Sequence, residues 1–169
     1  MIVEDGTIIE NANSYVSTEE ADIYFSDRDL ESVWQGTQQD KEGALISATE
    51  YIDYRFGYRF IGTQVEVEQP LQWPRKNTGV EAYNDTVIPL DLRRATMEYA
   101  YRAITGQRLV PDPSATGPVR RDLKRVGPLV REIEYFNKTG KEYLGYPYAD
   151  MMLRTLLQPL IGYGRVIRN

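Results

Sequence analysis

The sequence predicts a mainly α protein: a small bundle of about four helices with a β-hairpin, a long Trp-Pro-containing loop and an extended C-terminal arm. Three observations predict it. Apolar residues recur at three-to-four spacing in separate stretches, each bounded by capping or breaking residues. Two alternating runs flank the Gly127-Pro128 pair. Between the second and third helices Pro70, Pro74, Gly79 and Pro89 interrupt any regular element.

Taken in order, "SYVSTEEADIYF" opens the first helix, expected over about 18–28. Ser17 and Glu20 have the spacing of a reciprocal capping box, Val16 stands where a staple residue would, and Ala21, Tyr24 and Phe25 share a face. The second helix is "QQDKEGALISATEYIDYRF", with Leu45, Ala48, Ile52 and Phe56 as its buried stripe. Gly57 is expected to stop it, and Gly43 inside it predicts either close packing or a late start. Residues 58–89 read as irregular, with "TQVEVEQ" a candidate short strand. The third helix follows Pro89 and places Leu92, Ala95, Thr96, Tyr99 and Ala103 on one face, with Gly106 as its C-terminal stop.

"VPDPSATGP" reads as a loop. In the hairpin, about 119–135, Val119, Arg121, Leu123 and Arg125 fall on one side, and Leu129, Arg131, Ile133 and Tyr135 on one face of the return strand. Pro128 predicts a connection longer than two residues. A last helix is expected over about 147–158, ended or kinked by Pro159. This gives one helical domain over 1–158, hairpin included, and a docking arm over 159–169. The arm, "LIGYGRVIRN", is too apolar to stay in water unaided and predicts a partner.

Composition narrows the function. The 169 residues include neither Cys nor His. Without them the common triads, thiolate nucleophiles and zinc sites are excluded together. The expectation is no enzyme, no catalytic residues, no metal and no cofactor. The carboxylates Glu50 and Asp53 are spaced as an acid/base pair can be, but thirteen acids in this half make chance the better account. "GYGRV" lacks the third glycine and preceding strand of a dinucleotide loop. "MIVEDGTIIE" lacks the basic and apolar regions of a signal peptide, and no apolar run approaches the roughly 18 residues of a membrane span. A soluble protein made inside a cell is expected.

Charge is uneven. Residues 1–56 carry thirteen Asp/Glu against three Lys/Arg, a net of −10, while 57–169 carry twelve against seventeen, a net of +5. A nonspecific nucleic-acid binder is usually basic throughout. Split charge suits head-to-tail contact between identical subunits. The strongest basic cluster, Arg120, Arg121, Lys124 and Arg125 with Arg131, therefore reads as an inter-subunit surface, or alternatively as a phosphate-contacting arm.

"PLQWPRKNTGV" poses the sharpest choice. Trp73 beside Arg75 and Lys76 resembles a base-stacking platform. The favoured reading is a tryptophan that plugs the core while its neighbours face water, with Trp73, Pro74 and Leu71 the structural anchor that pins the loop and Arg75 architectural beside them. The second tryptophan, Trp34, lies in the acidic context "DLESVWQG". Of thirteen tyrosines, Tyr51, Tyr54, Tyr58, Tyr99, Tyr101, Tyr143, Tyr146 and Tyr148 could form stacking ladders or, equally, protein interfaces.

Several blocks resemble a tailed-bacteriophage family. Val3 to Thr7 reads Val-Glu-Asp-Gly-Thr, Ala12 to Ser17 reads Ala-Asn-Ser-Tyr-Val-Ser, and Ala21 to Phe25 reads Ala-Asp-Ile-Tyr-Phe. Asp40 to Asp53, Trp73 to Arg75 and Ile88 to Thr96 carry further matching blocks, and "KRVGPLVREIEY" matches loosely. The resemblance covers about residues 3–135; the C-terminal thirty residues depart from it. Such proteins carry two descriptions, a DnaT-like single-stranded DNA-binding protein and a head-tail connector or adaptor. The second implies a structural virion protein in the neck, between capsid and tail, made in the host bacterial cytoplasm. Its implied partners are itself, as a homo-oligomeric ring matched to the twelve-fold portal (a dodecamer), the portal, a tail or stopper/tail-terminator protein, and DNA passing through without specific binding, with no membrane involved. On this reading Tyr163, Arg165, Val166, Ile167 and Arg168 are the portal contacts. The alternative is a single-stranded DNA-binding replication accessory protein.

Overall fold

A computed structural model describes residues 1–83, 85–107, 109, 119–125, 130–135 and 146–159, with 119–125 and 130–135 as backbone only. The chain divides into two units, Met1–Leu109 with Gly145–Asn169, and Val110–Leu144.

The first unit is built on four helices, α1 (Thr18–Ser26), α2 (Gln38–Phe56), α3 (Leu90–Ile104) and α4 (Pro147–Leu153). α2 packs on α3 and α3 on α4, enclosing Leu45, Ile52, Leu92, Tyr99, Leu153 and Leu156, all fully buried. The expected stripe of α2 is buried throughout. On α3 the buried face is wider than periodicity alone indicates: Met97 and Ala100 join it, while Ala103 is only half-buried. The Schellman closure at Gly106 is complete, with Gly106 N–H donating to Ala103 O and Gln107 N–H to Arg102 O at φ +79°.

Local chemistry corrects several expectations. Only half of the Ser17 box forms: Ser17 Oγ accepts from Glu20 N–H at 3.2 Å, but the Glu20 carboxylate turns to Arg93, 3.0 Å away. An ion pair to α3 out-competes the return bond to the backbone. The reciprocal box belongs to α2, where Thr37 Oγ1 accepts from Asp40 N–H at 3.2 Å and Asp40 accepts from Thr37 N–H at 2.9 Å. α1 ends at Ser26, short of Arg28, its chain turning through Asp29 at φ +54°.

The second α-helix does end at Gly57, its C-cap, though not through a left-handed turn. Gly57 is right-handed, φ −50°, and tightens the chain into a 3-10 turn over Gly57–Arg59. Gly43 is neither closely packed nor a late start: a Cβ there would meet nothing within 4 Å, and α2 begins at Gln38. α4 is shorter than expected. It passes at Arg154 into a 3-10 turn, and Leu157 then bridges Phe60 antiparallel, so backbone pairing ends the helix before Pro159.

Of "TQVEVEQ" only β1 (Thr63–Gln64) is strand, pairing antiparallel with β2 (Arg75–Lys76). Val67 is 95% exposed, so the rest of that run has no apolar face to bury.

The second unit contains β3 (Val119–Arg125) and β4 (Val130–Tyr135), an antiparallel pair with Arg121 opposite Glu134 and Lys124 opposite Arg131. The ladder closes at Arg125 opposite Val130, and the expected long connection at Gly127-Pro128 lies outside the described residues. A bulge between Val119 and Arg121 breaks the even alternation read from the sequence.

Candidate functional site

The segment most intensively organised by specific side chains is the Trp-Pro loop. Trp73 is 0% exposed, its ring set edge-on to Phe60 with centroids 5.8 Å apart. Leu71 and Pro74 are buried beside it, and the Trp73-Pro74 peptide is cis. The indole N–H has no hydrogen-bond partner among the described residues.

Arg75 corrects the expectation that the neighbours of Trp73 face water. It is 7% exposed and turns inward. Its Nε donates to Ile61 O at 2.9 Å, one terminal nitrogen to Gly62 O at 2.9 Å, and the other to Gln72 O at 3.1 Å. A guanidinium has five donors in a fixed fork, and here that fork gathers three backbone carbonyls from two stretches of loop. Gly62 must be glycine: it sits at φ +71°, and a Cβ would lie 2.3 Å from Lys76 O. Lys76 stays exposed and donates to Val65 O.

The loop is tied to the helices through Tyr15 and Asp53. Tyr15 Oη donates to Asp53 at 2.6 Å and accepts from Trp73 N–H at 3.2 Å, while the second Asp53 oxygen accepts from Gln72 N–H at 3.0 Å. Burial pushes the Asp53 pKa up to about 7, opposed by those hydrogen bonds and the positive charge of Arg75. Burial first, and then the Asp53 charge, raise Tyr15 well above its ordinary value. Glu50 is exposed and takes no part in this group.

The amino-terminal block is organised the same way. Glu4, 3% exposed, accepts from Gly6, Ile8 and Ile9 N–H at 2.8, 3.0 and 2.9 Å. A single carboxylate thus closes a loop in which Gly6 has φ +105° and Ile8 φ +62°. At Gly6 a Cβ would lie 2.0 Å from Thr86 O, which brings this loop against the segment leading into α3.

Several tyrosines also face inward. Tyr51, Tyr99 and Tyr146 form a buried cluster, with Tyr51–Tyr99 centroids 4.9 Å apart and Tyr99–Tyr146 5.7 Å. Tyr99 Oη donates to Asp150, which also pairs with Arg55 at 3.2 Å. Tyr54 and Tyr58 differ: one helical turn apart, they are 87% and 81% exposed, and Tyr148 is 56% exposed. Tyr101 is half-buried; Tyr143 lies outside the described residues.

Trp34 is buried, its indole N–H donating to Asp22 at 2.7 Å. The basic positions Arg120, Arg121, Lys124, Arg125 and Arg131 all lie on the β3–β4 hairpin. The arm positions Tyr163, Arg165, Val166, Ile167 and Arg168 lie outside the described residues. Among the described residues no group of three or more His, Cys, Asp or Glu could hold a metal ion, and no helix is long and apolar enough to cross a membrane.

Sequence reasoning missed Glu4, Tyr15, Asp53 and the inward turn of Arg75. "TQQD" did carry the second capping box, with Asp in place of the more familiar Glu. Nothing in local spacing marks an Arg that binds carbonyls fourteen residues away. No curated protein and no solved structure matches the chain. A family model matches residues 1–169, so the chain belongs to the family described as "Putative DnaT-like ssDNA binding protein".

Proposed function

We propose that the chain is a structural head-tail adaptor of a tailed phage, a ring-forming neck component that docks on the portal and leaves a channel for DNA. The observation that carries this reading is the inward fate of the aromatic-basic motif. A single-strand platform needs several aromatic faces along a positive groove. Here Trp73 and Trp34 are buried, and Arg75 is committed to three carbonyls. The same residues instead stiffen a loop, which suits a protein whose work is to hold a shape. The acidity of the 1–56 half weighs in the same direction, since like charge repels phosphate. On this reading the β3–β4 bases meet a neighbouring subunit and residues 160–169 meet the portal.

One observation favours a second reading, single-stranded DNA binding as the family description has it. Tyr54 and Tyr58 are exposed one turn apart, with Arg59 beside them. Two stacked bases would fit such a pair.

Quantifying the protein in purified virions against the portal separates the two. A ratio near one to one is expected. Absence from virions together with abundance in infected cells would overturn the adaptor reading, and loss of DNA affinity in Tyr54→Ala/Tyr58→Ala would then support the second.

A further inference from the structure

The acidic half contains a groove of about 480 Å³ at the corner where α1 turns toward α2. Its floor is apolar, formed by Phe25 and Trp34, and Ile23 stands at its wall, 64% exposed. Asp22, Asp27 and Glu31 line it with one cation, Lys41. That cation is already engaged: Lys41 Nζ lies 2.8 Å from Asp22 and 5.8 Å from the Trp34 ring centroid. The nearby base Arg28 folds back over the Tyr24 ring at 3.5 Å and donates to Tyr24 O. The groove therefore has an apolar floor and polar walls, Ser26 and Gln35 among them. Ser26 Oγ donates to Glu31 and Asp22 is taken by Lys41 and Trp34, but with Asp27 and Glu31 the mouth keeps a net negative charge. The groove fits a segment that is apolar and basic by turns.

The hairpin has that character. β3 reads Val-Arg-Arg-Asp-Leu-Lys-Arg. Its register sets Lys124 directly opposite Arg131, whereas Arg121, three residues earlier, is opposite Glu134. Like charges in register oppose pairing, and the one carboxylate next along that face, Asp122 opposite Ile133, can answer only one of the two bases, so a second carboxylate must come from elsewhere. We infer that the Ile23 groove receives the β3–β4 ribbon of a second copy of this chain, its Asp27 and Glu31 carboxylates meeting Lys124 and Arg131. The contact is heterologous, one face of each copy meeting a different face of the next. Such contacts propagate into a ring when the rotation closes. The inference rests on the adaptor reading for its biological setting, but the contact itself is tested on the free chain.

The test uses charge reversal in the full-length chain, with mass measured by sedimentation velocity at low salt and folding checked by circular dichroism. Wild type is expected to self-associate. Asp27→Lys/Glu31→Lys and Lys124→Glu/Arg131→Glu should each remain folded and lose association, and combining all four substitutions in one chain should restore it. A wild type that stays monomeric at every concentration overturns the inference, as does association unchanged by either reversal. Association lost only on deleting 160–169 would assign the groove to the arm instead and equally overturn it. Virion stoichiometry is independent: a one-to-one neck component indifferent to both reversals sinks this interface alone, while rescued association in a protein absent from virions sinks the adaptor reading alone.

Discussion

Replacing Trp73 by alanine removes the largest fully buried side chain among the described residues. An indole buries some 200 Å² or more of largely apolar area, a transfer contribution of about 5 kcal/mol at ~25 cal/mol per Å². Residual cavity adds to this and partial collapse subtracts, so truncations of this kind cost about 3–5 kcal/mol. The edge contact with Phe60 would be lost with it. Trp73→Phe isolates a second contribution. The Trp73 indole N–H is buried without a partner among the described residues, and leaving such a group unmade costs roughly 1–3 kcal/mol. Phenylalanine removes that penalty while giving up part of the ring, and the two changes offset to within about 1 kcal/mol. Urea unfolding followed by far-ultraviolet circular dichroism reads both. With a slope near ~2 kcal/mol per M, Trp73→Ala should lower Cm by about 2 M and Trp73→Phe by less than about 0.5 M. If phenylalanine costs as much as alanine, the indole N–H has a partner and the reasoning fails. If alanine costs under about 1 kcal/mol, Trp73 is not the anchor of the loop. Any DNA affinity should be unchanged per folded molecule of either variant.

Arg75→Lys should cost about 2–4 kcal/mol despite conserving charge, because one ammonium cannot reach the Ile61, Gly62 and Gln72 carbonyls together; a Tm unchanged from wild type would refute this. Asp53 titrates near 7 folded against 3.8 unfolded, so its contribution is full at low pH and is lost as pH rises toward 7, by roughly 2–4 kcal/mol. The carboxyls of Asp5, Glu19, Asp40 and Glu42 are lowered and act in the opposite sense, losing stability in acid. Stability measured from pH 4 to 8 should therefore fall toward the alkaline end in wild type and flatten in Asp53→Asn; parallel profiles would exclude Asp53 as the cause. Gly6→Ala places a Cβ 2.0 Å from Thr86 O at a positive φ, and should destabilise by more than about 2 kcal/mol and open the amino-terminal loop to protease; unchanged protease resistance would contradict this. Deleting residues 160–169 should leave a folded protein that fails to join heads to tails in an in vitro complementation assay, and unaltered joining would remove the arm from portal docking.

The helices were legible because burial on one face imposes a period that the sequence must show: Leu45, Ala48, Ile52 and Phe56 are all inside. Ends were less legible. Glu20 had two partners in reach, backbone and Arg93, and only tertiary packing brought the second close. Gly57 does mark the end of α2, by passing into a 3-10 turn rather than a left-handed cap, whereas the Phe60–Leu157 bridge ends the helical run before Pro159 is reached. The burial of Trp73 was legible in the prolines that flank it and in the lack of a positive groove of aromatics around it. The inward turn of Arg75 did not, since arginine is mostly exposed and two of its carbonyl partners come from a different stretch of loop. Asp53 looked like half of a chance pair with Glu50; its partners Tyr15 and Gln72 are distant in sequence.

The Phe60–Leu157 bridge has a mechanical consequence. Ile61 N–H donates to Leu156 O at 2.9 Å and Gln158 N–H to Arg59 O at 2.7 Å, so the chain following α4 lies antiparallel against residues 59–61. A pull along the tail loads these bonds in shear, all at once, rather than peeling them singly. The force then enters Ile61 and Gly62, whose carbonyls are held by Arg75, and through Arg75 reaches the loop that Trp73 fixes in the core. Tension carried along this path would be borne at the largest fully buried side chain among the described residues.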